Sequence, residues 1–158
     1  MFAVPRTLVV GYGNISRRDD GVGHYVAERI QDQGVESIHT MVLQQLGPEL
    51  AETISDYDLV VFVDVYLDKN AEGLQVISVE SLYRPSAITH SLSPSSLLAL
   101  TQALYHRQPR AIIVAIPGYD FDFGMELSEG TERWAGVAVE RILKIHDETE
   151  EKPGGAKN

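Results

Sequence analysis

A chain of 158 residues, 44% hydrophobic and 23% charged, has the composition of one globular domain large enough to bury a core. Its formal net charge of −10 opposes nucleic acids and anionic membranes as partners, because both are polyanionic. The absence of cysteine excludes disulfides, thiolate nucleophiles and sulfur-built zinc sites, so any metal must rely on carboxylates and imidazole.

The opening Met1 to Arg6 lacks the charged and apolar regions of a signal peptide, and no apolar run reaches membrane-span length; a cytoplasmic location is expected. Thr7 to Val10 is a short β-branched run that reads as a strand buried on both faces. Gly11 and Gly13 let the chain turn sharply beyond its carboxyl end. Asp19 and Asp20 precede an apolar-periodic helix carrying Val22, Val26 and Ile30 on one face and ending near Gln33-Gly34. Ser37 to Leu43 reads as a second strand, followed by a loop of Gln44, Gln45, Leu46, Gly47 and Pro48, with Pro48 opening a helix through Ile54.

Tyr57 to Val65 contains Leu59-Val60-Val61-Phe62-Val63, a central strand that ends in Asp64. A carboxylate directly after five apolar residues is expensive to bury, so it is expected at the strand's carboxyl end, paired or bound. Asp68 to Gly73 is a polar turn, and so short a link makes Leu74 to Val79 an antiparallel edge strand in a hairpin. Tyr83 to Thr89 is irregular and leads to His90. Ser93 as cap and Pro94 at the first position start a helix with Leu97, Leu98 and Leu104 on its apolar face. Ala111 to Ile116 is another buried strand, ended by Pro117-Gly118.

Tyr119 to Leu127 is an acidic loop in which Tyr119-Asp120-Phe121-Asp122-Phe123 alternates solvated acids with buried rings. Ser128 to Ile145 is a last amphipathic helix, with Trp134, Val137, Ala138, Ile142 and Ile145 on one side. Residues 1–147 form the domain, and the charged, glycine-rich 148–158 is expected to be a disordered tail. Alternating strands and helices give a three-layer α/β/α sandwich, phosphorylase/hydrolase-like, with a mostly parallel sheet of about five strands and one antiparallel edge strand.

The glycine turn competes only weakly as a nucleotide site. It reads Gly-x-Gly-x-x-Ser, no acid ends the next strand where Ile38 and His39 stand, and two carboxylates would repel a pyrophosphate. One of Asp19 and Asp20 suffices to cap the helix. Asp20, Asp64 and His90 come from three separate segments expected at one rim. Two acids and an imidazole suit a divalent ion of the nickel, zinc or iron type with open positions remaining. Each also has a plainer reading: Asp64 as a helix cap or a partner of Arg17 or Arg18, His90 as a hydrogen-bonded loop histidine. His24, His39, His106 and His146 read as structural or solvent-facing. A serine hydrolase built on Asp64, His90 and one of Ser91, Ser93, Ser95 or Ser96 competes weakly, because capping explains those serines.

Gly11-Tyr12-Gly13-Asn14 followed by Asp19-Asp20-Gly21-Val22-Gly23 resembles the opening motif of the NiFe-hydrogenase maturation proteases. The similarity continues through the acid after Leu59–Val63 and the Thr89-His90 loop, spanning about two-thirds of the chain, with Gly124 to Leu127 agreeing more loosely. The resemblance implies a peptidase that removes a C-terminal extension from a hydrogenase large-subunit precursor after nickel insertion, with no nucleotide. It implies Asp20, Asp64 and His90 as ligands for nickel supplied by the substrate. Asp19 is then the helix cap or a partner behind the ligands, and Gln44, Gln45 and the Tyr119–Phe123 loop are candidate peptide contacts. The chain departs from the family pattern in two places. Leu43 to Leu50 replaces an Asp-Gly-Gly-Thr-like segment, which bears on the hydrogenase type recognised. Ser93-Pro94 is followed by Ser95 where some members have histidine, so Thr89-His90 supplies the imidazole. The alternative of another class is a non-catalytic nickel chaperone or sensor on the same scaffold.

Overall fold

Thr7–Tyr12 (β1) and Leu59–Leu67 (β3), two strands with long apolar runs, lie side by side within the sheet of this computed structural model, which describes residues 6–82 and 92–151. With Ile38–Leu43 (β2), Gln75–Ser78 (β4) and Arg110–Gly118 (β5) they form one five-stranded sheet in the order β2-β1-β3-β5-β4. The first four positions in that order are parallel, and β4 runs antiparallel at the edge beside β5. Parallel strands need both faces covered, which is why β1 and β3 are continuously apolar.

Successive side chains along a strand point to opposite faces. Val9, Leu59, Val61 and Val63 pack in a core shared with the helices Val22–Asp32 (α1) and Glu129–Glu151 (α4). Leu8, Val10, Val60 and Phe62 pack in the opposite core with Leu50–Ile54 (α2) and Pro94–Tyr105 (α3). The expected three-layer sandwich follows directly. Ser93 caps α3, accepting from the Ser96 N–H at 3.1 Å, with Pro94 at the first helical position.

Four local expectations are corrected. The edge strand does not form a hairpin with β3, because β3 already has β1 and β5 on its two sides; β4 crosses over to the free edge of β5. Asp64 does not end its strand, which continues in register with β5 to Leu67 opposite Gly118. Leu104 and Val137 are exposed, and Thr131, Ala135, Val139 and His146 are on the buried side of α4. Finally, α4 continues to Glu151, so residues 148 to 151 of the expected tail are helical. The reason is His146, fully buried, whose Nδ1 lies 2.7 Å from Thr7 Oγ1 and whose Nε2 lies 2.8 Å from Ser37 Oγ. Ser37 also donates to Glu150 at 2.8 Å, which fastens the last turn.

The start of α1 is pressed onto the sheet by paired glycines. A Cβ on Gly23 would stand 2.8 Å from the Tyr12 nitrogen and the Val63 carbonyl oxygen, and one on Gly11 would collide with the Gly23 carbonyl. This close approach brings the turn before α1 to the carboxyl ends of β1 and β3, the edge where open α/β sheets bind ligands. Among the described residues no helix is long and apolar enough to cross a membrane.

Candidate functional site

Gly13, with φ of +142°, reverses the chain after β1 and donates its N–H to the Leu43 carbonyl at the end of β2. The loop then folds into a single 3-10 turn, Arg18–Gly21, that leads into α1. Asn14 donates its backbone N–H to Asp20 Oδ2 at 2.8 Å, which orients that half-buried carboxylate over the turn. Asp64 approaches from β3, on the face that carries Val60 and Phe62. Its Oδ1 accepts from its neighbour Val65 N–H at 2.8 Å and its Oδ2 from the Tyr12 hydroxyl at 3.2 Å.

Burial raises the Asp64 pKa above the ordinary carboxylate value, and the nearby Asp20 charge adds to the rise, against the two hydrogen bonds. Burial, then the Asp64 charge and its hydrogen bond, hold the Tyr12 phenol far above its usual value, so it remains a neutral donor. Asp20 and Asp64 therefore stand within electrostatic reach of one another. Among the described residues neither acid has an arginine, lysine or histidine partner; Arg18 pairs with Asp120 at 2.9 Å, not with Asp64. Two neighbouring acids repel each other when both are ionised, which adds to the cost of the Asp64 charge. The third predicted ligand, His90, lies outside the described residues. Among the described residues no group of three or more His, Asp or Glu gathers for a metal.

Asp19 does not cap α1. It is fully buried, and its carboxylate accepts from the backbone N–H groups of Tyr119, Asp120 and Ser128 and from the Ser128 hydroxyl, all at 2.8 to 2.9 Å. Burial alone would raise its pKa, but these four bonds outweigh it and hold the carboxyl below the usual range. Nothing in the sequence near Asp19 marks this partnership with a loop 100 residues away. Tyr12 was likewise missed as a polar partner, although two side chains on one face of adjacent strands are natural contacts.

The loop after β5 is not the solvated loop with buried rings read from its alternation. Tyr119 and Phe123 are exposed, and the Arg17 guanidinium covers the Phe123 ring at 4.2 Å. Gln44 and Gln45 are exposed just past the end of β2, at the same rim. The described histidines are structural or exposed: His24 lies 2.8 Å from the Leu43 carbonyl, His39 lies 2.7 Å from the Tyr57 hydroxyl, and His106 ends α3. Ser93 is committed to the α3 cap, and Ser91 lies outside the described residues.

No family model and no curated protein matches the sequence. Solved structures do match its fold. The hydrogenase maturating endopeptidase HybD from E. coli superposes with a TM-score of 0.76 at 19% identity, covering 91% of this chain and 93% of that one. The NiFe-hydrogenase maturation protease HycI from Thermococcus kodakarensis KOD1 gives 0.71 at 22% identity, over 90% and 93%. A hydrogenase 2 maturation peptidase from Thaumarchaeota archaeon SCGC_AB-539-E09 gives 0.65 at 20% identity, over 89% and 97%. The chain has the fold of these peptidases along nearly its whole length.

Proposed function

We propose that this chain is a cytoplasmic endopeptidase that removes the C-terminal extension of a NiFe-hydrogenase large-subunit precursor once nickel has been inserted. The observation that carries this reading is the meeting of Asp20 and Asp64, from separate segments, at the carboxyl edge of a fold shared with solved maturation peptidases. One acid is half-buried with a raised pKa, and neither has a cation among the described residues. A divalent ion brought by the substrate relieves their repulsion and favours the ionised form of Asp64.

In this reading nickel belongs to the substrate, and Asp20, Asp64 and His90 bind it, so the protein cleaves only precursors already loaded. Oxygen and nitrogen donors suit that ion. Asn14 and Tyr12 hold the two carboxylates in place, and a carboxylate not engaged with the metal is the candidate base for the water that adds across the peptide bond.

The test is to incubate the purified protein with nickel-loaded and nickel-free precursor and to follow the large subunit's mass. Shortening of the loaded form alone, abolished in Asp64→Ala and His90→Ala, is the expected result. Binding without shortening would instead identify a chaperone, and unchanged processing by either variant would refute the ligand assignment.

A further inference from the structure

Phe123 is 80% exposed and Met125 70% exposed, with Ile15 also exposed in the neighbouring loop. Apolar side chains left in water on a slack loop have little meaning, but this backbone is fastened. Arg17 and Gly124 form a parallel bridge, Arg18 N–H donates to the Gly124 carbonyl and Gly124 N–H to the Ser16 carbonyl, each at 2.9 Å. The four bonds to Asp19 and the Arg18 to Asp120 pair hold the rest of the loop. Phe123 is thus presented outward by rigid supports, and such preorganisation lowers the entropic cost of binding. The exposed Asp122 and Glu126 stand on either side of Phe123 and Met125 in the chain. The ledge begins at the same 3-10 turn that carries Asp20.

We propose that this ledge is the docking surface for the precursor, taking an apolar segment bracketed by lysine or arginine and delivering the adjoining peptide to the rim of Asp20 and Asp64. The charge pattern chooses the partner: the exposed Asp122 and Glu126 outnumber Arg17, which lies over one face of the Phe123 ring, and attract a basic bracket, whereas a second copy of this chain, at −10, is repelled. The proposal rests on the peptidase reading, and one experiment separates the two.

Affinity for nickel-loaded precursor and the KM for its shortening are measured for the wild type, Phe123→Ser with Met125→Ser, and Asp122→Lys with Glu126→Lys. The substituted side chains are at the surface, and circular dichroism confirms that the variants fold. The expected result is a Kd and KM raised about tenfold or more by the serine pair, since buried aromatic anchors dominate such contacts. The lysine pair weakens binding at low salt and less so at high salt. Wild-type shortening with unaltered Kd and KM in both variants overturns the ledge and leaves the peptidase standing. Ledge-dependent binding without shortening overturns the peptidase and leaves the ledge. No binding of the precursor by the wild type overturns both.

Discussion

The Tyr12 hydroxyl donates to Asp64 Oδ2 at 3.2 Å, joining the last residue of β1 to an acid in the body of β3. This bond opposes the rise that burial and the Asp20 charge impose on the Asp64 carboxyl. Removing the hydroxyl in Tyr12→Phe is expected to move the Asp64 titration midpoint further up, as read by carbon NMR of the metal-free protein. A midpoint that stays put or falls would show that the phenol does not serve the carboxylate.

Asp64 itself weakens the fold at neutral pH. A carboxyl whose folded pKa exceeds its unfolded value costs nothing below the unfolded value, and the penalty grows as pH rises through the folded one. Asp64→Asn is therefore expected to melt higher than wild type at neutral pH, while losing precursor processing. The gain disappears near pH ~3, where both states of the wild type are protonated. Thermal melts of the two proteins across that range check the sign.

Asp19 is the opposite case. Its depressed pKa means that its stabilisation is complete above the unfolded carboxylate value of about 3.9 and is lost as pH falls through the folded value. Asp19→Ala leaves three N–H donors of the 119–128 loop without their acceptor and is expected to cost about 2 to 4 kcal/mol in urea unfolding at pH ~7. The difference from wild type should shrink in acid; a pH-independent difference would point to packing alone.

At the other end of the sheet, His146→Leu takes the imidazole from the buried Thr7 hydroxyl and from the half-buried Ser37 hydroxyl, which keeps its bond to Glu150. A loss of about 2 to 3 kcal/mol is expected by urea unfolding, from unsatisfied polar groups. Because Thr7 is the first residue of β1 and the acids stand beyond its last, the processing rate of the folded variant should match wild type. A selective fall in rate would link His146 to the site.

The contrast among these residues explains what the amino-acid order reveals. Apolar runs such as Leu59 to Val63 and the Ser93-Pro94 start dictate strands and caps locally, so the layers are legible, as is the placing of Asp20 and Asp64 in loop and strand segments at one edge of the sheet. Of the two roles open to Asp19, the cap fails because capping is only a local habit of acids, while its actual donors are remote in the chain. The edge strand was misplaced because loop length predicts a neighbour only when the neighbour's side is free. Leu104 and Val137 fit the helical period but lie at the solvent margin of their stripes. His146 carried no local sign that two hydroxyls from elsewhere would satisfy it.

Asp19 anchors a loop whose outermost side chains, Phe123 and Met125, contribute little to the fold. Support and exposed surface are therefore set by different residues in this stretch. Exchanging the side chains at 123 and 125 changes the character of this surface while the backbone beneath it, and the carboxylates of Asp20 and Asp64 nearby, keep their hydrogen bonds.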